Sequence, residues 1–164
     1  MPTDKDLFAL VERVAVTLRA TDRRLATAES CTGGWVAKAC TDLAGSSQWF
    51  ECGFVTYSNA AKVRDLGVSE RTLAEHGAVS EATVREMAAG ALRVSGADIA
   101  VAISGIAGPD GGTPTKPVGT VWFGLASLGD AGTAAVAEVQ VFAGDRELIR
   151  RRSVERALQL VLAV

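Results

Sequence analysis

Apolar residues recur at helical spacing near both ends of the chain. The first segment carries Leu7, Leu10, Val11, Val14 and Leu18 on one face. This spacing predicts an amphipathic helix over Asp4–Arg19. The last segment, Asp145–Leu162, is predicted to be a helix with Asp145 as its N-cap. Its inner face is predicted to contain Ile149, Ser153, Ala157, Leu160 and Val161, with charged residues on the opposite side.

The segments between these two helices alternate between strand and helix patterns. Strands are predicted at Arg24–Ala28, Trp49–Tyr57, Ile99–Ile103, Val121–Ala126 and Ala134–Phe142, with a hairpin connection at Gly129–Gly132. Helices are predicted at Gly34–Leu43, Asn59–Leu66, Ser69–His76 and after Ser80, which is a good N-cap. The continuous apolar run Ile99–Ile103 is typical of a strand buried on both faces. Strands and helices alternate early in the chain, and two strands pair near its end. This order favours one α/β layered domain over residues 1–164, with a mixed sheet.

Composition and charge narrow the functional classes. The chain has 164 residues, 48% of them hydrophobic, and a formal net charge of -2. This charge gives no general attraction to nucleic acids or acidic membranes. No apolar run approaches the ~20 residues of a membrane span, and the polar N-terminus lacks the apolar region of a signal peptide. The odd number of cysteines, at Cys31, Cys40 and Cys52, has no metal-type spacing and indicates reduced thiols in a cytoplasmic protein.

The sequence TAESCTGG places Ser30 between a predicted strand and a predicted helix. Reactive groups collect at such strand ends in open α/β sheets. Gly33 and Gly34 let the backbone approach a ligand closely, and the start of the helix offers N–H groups to an anion. Ser30 is therefore a candidate nucleophile, and Cys31, Gly33 and Gly34 beside it are candidate substrate-binding residues. The alternative is that Ser30 or Thr32 simply caps the helix, which is a common role for such residues.

A serine nucleophile needs a base, and the chain offers two candidates. His76 is the single histidine, but it precedes Gly77 and is expected at a solvated helix end. Lys62, in the segment YSNAAK, follows a predicted strand as Ser30 does, although most lysines are simply exposed. Tyr57 ends that strand and either orients a base or faces water. Cys31 is an alternative nucleophile, to be paired with His76, or a small packing residue.

The long loop Ser104–Thr120 is rich in glycine and proline, and a loop of this length in a compact domain is usually functional. It matches neither the Walker pattern nor the dinucleotide-binding fingerprint. Its start, which includes Ser104, Gly105 and Gly108, follows a buried strand and could surround a phosphate or a carbonyl oxygen. Arg146 lies at the start of the last helix, where a positive charge opposes the helix dipole, so an anion-binding role is favoured slightly.

Five ordered segments resemble the CinA carboxy-terminal domain family. They are TAESCTGG, GFVTYSNAAKVRDLGV, GAVSEATVREMAAGAL, SGIAGPDGGTPTKPVGTVWFG and GDRELIRRRSVERAL. The resemblance spans nearly the whole chain. It implies a three-layer α/β/α sandwich that hydrolyses the carboxamide of nicotinamide mononucleotide, with no metal or other cofactor. The implied partner is this small nucleotide, and a homo-oligomer is compatible with the resemblance.

The resemblance also implies roles for individual residues. Ser30 matches the family's nucleophile, Lys62 its base and Tyr57 the assisting tyrosine. Arg146, in the segment GDR, matches a substrate-binding arginine. Ser104 stands where many members have threonine, so the hydroxyl is kept and a methyl group is lost. A nucleotide-binding or regulatory module without turnover, and a hydrolase using Cys31 and His76, are the alternative hypotheses.

Overall fold

The computed structural model describes residues 1–129 and 132–164, and these residues form six α-helices and five strands. The helices are α1 (Asp4–Ala20), α2 (Trp35–Asp42), α3 (Asn59–Leu66), α4 (Glu70–His76), α5 (Glu81–Ser95) and α6 (Arg146–Val161). The strands are β1 (Leu25–Glu29), β2 (Phe50–Val55), β3 (Ile99–Gly105), β4 (Thr120–Gly129) and β5 (Gly132–Val141). Asp130 and Ala131, at the predicted hairpin tip between β4 and β5, lie outside the described residues.

The strands form one mixed sheet in the order β2-β1-β3-β4-β5. Strand β1 runs parallel to both β2 and β3, whereas β3–β4 and β4–β5 are antiparallel pairs. Glu29, the last residue of β1, lies opposite Val55 of β2 and Ile103 of β3. The carboxyl ends of the three parallel strands therefore meet at one end of the sheet, where ligands bind in open α/β folds.

Helices cover both faces of this sheet, which confirms the three-layer α/β/α sandwich. Side chains alternate between the faces along each strand. Residues such as Val101 and Ile103 of β3 pack in the core beneath α1, α2 and α6. Ala100 and Ala102 of the same strand pack in a second core beneath α3 and α5. Every residue of the predicted strand Ile99–Ile103 is fully buried, as a strand covered on both faces must be.

The helix starts follow the predicted capping signals. Ser80 accepts a hydrogen bond from the amide of Thr83, and Asp145 accepts one from the amide of Leu148. Two details of the sequence prediction were wrong. The inner face of α6 includes Val154 and Leu158, which are fully buried, whereas Leu160 is only partly buried. The loop is also shorter than predicted, spanning residues 106–119, because pairing of β3 with β4 continues to Gly105.

Within the described ranges, the helices are too short or too polar to pass through a lipid bilayer.

Candidate active site

Ser30 lies at the carboxyl end of β1, in the middle of the parallel part of the sheet. Its amide donates to the carbonyl oxygen of Ile103 at 2.9 Å, which continues the ladder with β3. The chain then reverses through residues 30–34, called here the Ser30 turn, and enters α2. Gly33 and Gly34 have φ angles of 63° and 93°, in the left-handed region that favours glycine. The turn leaves the Ser30 side chain partly exposed at the end of the sheet.

Lys62 reaches Ser30 from α3. Its Nζ lies 3.0 Å from Ser30 Oγ. The same nitrogen donates to the carbonyl oxygens of Thr56 at 2.8 Å and Tyr57 at 3.4 Å. Lys62 is 1% exposed, and this burial lowers the pKa of its amine, with a smaller opposing effect from the Cys31 thiol. The fold thus brings the predicted nucleophile and base within hydrogen-bonding distance.

Three other residues of the predicted site form a second group beside this pair. Arg146 donates through Nη1 to the carbonyl oxygen of Gly108 at 2.8 Å and through Nη2 to Tyr57 Oη at 3.1 Å. The Tyr57 side chain is 60% exposed. Its hydroxyl therefore contacts Arg146, whereas its backbone carbonyl contacts Lys62.

Ser104 and Gly105 end the strand next to Ser30. Ser104 follows Ile103, which pairs with Glu29, so Ser104 and Ser30 occupy neighbouring positions across the sheet. Ser104 is 1% exposed. A β-carbon at Gly105 would lie 2.7 Å from Cγ2 of Val121, so this glycine permits close packing of β3 against β4.

Cys31 and His76 lie on opposite sides of the sheet. Cys31 is 6% exposed in the core beneath α1, α2 and α6, and burial raises the pKa of its thiol to about 11. His76 is the exposed last residue of α4, which packs against α5 on the other face. The expectation of a solvated helix end for His76 is confirmed. The structure separates the two residues that a cysteine–histidine hydrolase would need together.

Glu29 organises the Ser30 turn, a role that was not predicted from the sequence. Its carboxylate accepts hydrogen bonds from Thr32 Oγ1 at 2.7 Å and from the amides of Gly34, Val36 and Ala37 at 3.0, 3.1 and 2.8 Å. The expectation that the start of α2 offers free amides to a ligand was therefore wrong, because Glu29 occupies them. A charged residue ending the wholly apolar or small strand LATA was the signal in the sequence.

Arg150 contacts the same turn from α6 and was also missed. Its Nε donates to the carbonyl oxygen of Cys31 at 3.0 Å, and its Nη2 donates to that of Thr32 at 2.9 Å. Its guanidinium carbon lies 5.3 Å from the centre of the Trp35 ring. Arg150 comes one helical turn after Arg146, so both arginines face the same end of the sheet.

A groove of about 720 Å³ lies on the other side of the Ser30 turn, between α1, α2 and α6. Its lining includes Thr32, Gly33, Gly34 and Trp35 but neither Ser30 nor Lys62. The size of this groove therefore does not identify the catalytic residues. The candidate site is defined by the Ser30–Lys62 pair instead. Among residues 1–129 and 132–164, no three His, Cys, Asp or Glu side chains are grouped as a metal ion would require.

Comparison with known proteins identifies the family of this chain. The family model "CinA C-terminal domain" matches residues 7–164. The chain is 57% identical over 157 residues to the nicotinamide-nucleotide amidohydrolase PncC of Escherichia coli K12, covering 96% of this chain and 93% of that protein. The crystal structure of a competence/damage inducible protein from Agrobacterium tumefaciens superposes with a TM-score of 0.92 at 41% identity, covering 99% of this chain and 96% of that one. A competence damage-inducible protein A from Klebsiella pneumoniae superposes with a TM-score of 0.90 at 43% identity, covering 96% of this chain and 95% of that one. The chain belongs to the CinA C-terminal domain family.

Proposed function

We propose that this protein is an amidase that hydrolyses nicotinamide mononucleotide to nicotinate mononucleotide and ammonia, a step of pyridine nucleotide salvage. The name of the Escherichia coli relative supports the substrate. The observation that carries the proposal is the separation of 3.0 Å between Oγ of the partly exposed Ser30 and Nζ of the buried Lys62. A serine with a base at this distance has the arrangement of an activated nucleophile.

The surroundings of Lys62 suit a neutral amine acting as the base. A neutral amine has two N–H bonds and one lone pair. The two N–H groups donate hydrogen bonds to the carbonyl oxygens of Thr56 and Tyr57. The lone pair is therefore directed at the Ser30 hydroxyl. Burial favours this neutral form because it lowers the pKa of the lysine. The positive pyridinium ring of the substrate would favour it further by charge repulsion.

The reaction then proceeds through an acyl-enzyme. Lys62 takes the proton of Ser30, and Oγ bonds to the carboxamide carbon. Lys62 passes that proton to the leaving nitrogen as the C–N bond breaks and ammonia departs. Water, deprotonated by the same amine, attacks the ester carbon. As the bond to Oγ breaks, the amine returns its proton to Oγ, and the carboxylic acid is released.

Two backbone amides of the Ser30 turn are available to hold the oxyanion. In the described parts of the chain, the amides of Cys31 and Thr32 donate no hydrogen bond to protein acceptors. The amide of Gly33 is already bonded to the carbonyl oxygen of Ser30 at 3.0 Å. Losing one such donor typically costs about 3 kcal/mol of transition-state stabilisation.

Arg146 is the proposed contact for the substrate phosphate, because a guanidinium binds phosphate oxygens through paired N–H groups. Tyr57 assists in two ways in this proposal. Its carbonyl orients Lys62, and its hydroxyl holds Arg146 over the site. Gly108 anchors the other side of Arg146. Ser104 and Gly105 lie beside Ser30 at the end of β3, and Gly33 and Gly34 shape the Ser30 turn.

The test is to incubate the purified protein with nicotinamide mononucleotide and quantify both products. The proposal predicts ammonia and nicotinate mononucleotide in equal amounts. Tight binding of the nucleotide without ammonia would instead support a regulatory module. Release of free nicotinamide would show cleavage at the glycosidic bond and would contradict the proposal.

A further inference from the structure

Arg150 has no part in the mechanism proposed for the amidase, although it makes two hydrogen bonds to the Ser30 turn. We propose that Arg150 is the positioning residue that orients and polarises the oxyanion-binding peptide. This inference rests on the proposed amidase function. It assigns to a side chain on α6 a part in stabilising the transition state, without any contact with the substrate.

A single peptide unit connects Arg150 to the Thr32 amide. The carbonyl oxygen of Cys31 and the amide of Thr32 belong to one planar peptide. Arg150 Nε donates to that carbonyl at 3.0 Å, while the amide at the other end of the unit has no protein acceptor in the described residues. A charged donor on the carbonyl increases the polarity of the whole unit, because hydrogen bonds in series strengthen one another. The Thr32 amide thereby becomes a better donor to a negative oxygen.

The second contact fixes the direction of the turn. Arg150 Nη2 donates to the carbonyl oxygen of Thr32 at 2.9 Å, and the amide of Trp35 also donates there at 3.3 Å. Two bonds from one rigid guanidinium hold two successive peptides in a fixed relative orientation. Oxyanion donors need this orientation before the reaction begins.

Glu29 completes the support from the opposite direction. Arg150 donates to carbonyl oxygens of the turn, whereas the Glu29 carboxylate accepts from Thr32 Oγ1 and from the amides that follow. The turn is therefore held through both its acceptors and its donors. The Cys31 and Thr32 amides are left over from this network, so a ligand oxygen can use them.

Arg151 provides a matched control on the same helix. Its guanidinium carbon lies 4.9 Å from the centre of the same Trp35 ring. Its hydrogen bonds go to the carboxylates of Asp4 and Glu147, and none goes to the turn. Arg151→Met therefore removes an equal charge and the same kind of aromatic contact while leaving the turn carbonyls bonded.

The test compares Arg150→Met, Arg150→Lys and Arg151→Met with the wild type by steady-state kinetics on nicotinamide mononucleotide. Arg150→Met should lower kcat about 30-fold with little change in KM, less than the 10²–10³ loss of a whole oxyanion donor. Arg150→Lys should recover only part of kcat, because a single ammonium cannot form the same fork. Arg151→Met should keep kcat within about twofold of the wild type.

A second readout separates positioning from simple destabilisation. The aldehyde analogue of the substrate adds to a serine hydroxyl and presents an oxyanion, whereas the product nicotinate mononucleotide does not. Arg150→Met should weaken binding of the aldehyde in parallel with kcat/KM and leave binding of the product unchanged. Equal kcat losses in Arg150→Met and Arg151→Met, or equal weakening of both ligands, would overturn the inference. A wild type that releases no ammonia would instead defeat the proposed function.

Discussion

At the residue scale, the buried amine of Lys62 should control the pH dependence of catalysis. Because burial lowers its pKa, the neutral base should be present below the usual lysine range near 10.4. We expect kcat/KM to rise with pH to a plateau and the midpoint of the rise to lie below that range. Lys62→Arg should lose most of the activity and the increase of kcat/KM with pH, since arginine stays protonated. A wild-type rate that falls as Lys62 becomes neutral would contradict the assignment.

The same amine should affect the pH dependence of stability. A lysine whose pKa is lower in the folded state binds fewer protons there than in the unfolded chain. The stability of the wild type relative to Lys62→Met should therefore rise with pH between the folded and unfolded pKa values of Lys62. Denaturant unfolding of both proteins at several pH values measures this difference. A relative stability that fell with rising pH across this window would show that the folded pKa is raised instead.

At the element scale, the position of Lys62 depends on how closely α3 approaches α5. Gly90 of α5 faces Leu66, the last residue of α3, and a β-carbon at Gly90 would overlap the Leu66 carbonyl oxygen. Gly90→Ala should push α3 away, separate Lys62 from Ser30 and lower kcat at least tenfold. Rates measured well below the melting temperature, together with the melting temperature itself, check this expectation.

Val84→Ala is the control for this element. Val84 lies in the same helix but packs towards Gly124 of β4 rather than towards α3. Removing its methyl groups should lower stability by about 1–3 kcal/mol and leave kcat nearly unchanged in the folded protein. Equal kcat in Gly90→Ala and the wild type would show that the α3–α5 contact does not position the base.

The elements themselves were largely predictable, because their signals are local. The apolar spacing of α1, the caps Ser80 and Asp145, and the buried run of β3 each depend on neighbouring residues. The start of α2 was predicted to be open because a charged residue at the end of β1 does not by itself show which amides its carboxylate bonds. The Glu29 carboxylate bonds to amides five and eight residues later in the chain. Only the folded turn brings these groups together.

At the scale of the whole molecule, the candidate active site depends on contacts between distant parts of the chain. Lys62 and Ser30 are 32 residues apart, and Arg150 contacts a carbonyl 119 residues away. The resemblance to a family predicted the first pair by motif. No periodicity or local motif distinguishes Arg150 from the neighbouring arginines of RELIRRR. Its contact with the Ser30 turn could therefore not be predicted from the sequence.

The whole protein should work without a metal ion, since the proposed nucleophile, base and oxyanion donors all come from the chain. We expect extensive dialysis against a chelator to leave the rate of ammonia release unchanged. A rate that is lost on dialysis and restored by a divalent cation would show that the mechanism lacks an essential component.

The proposed mechanism requires that the Ser30 hydroxyl, activated by Lys62, attacks the carboxamide. The most direct measurement is the rate of ammonia release from nicotinamide mononucleotide by Ser30→Ala, alongside the wild type and with folding of both verified by circular dichroism. We expect the variant to fold normally and to lose at least about 10³-fold in kcat. A folded Ser30→Ala protein that releases ammonia at the wild-type rate would contradict the proposed mechanism.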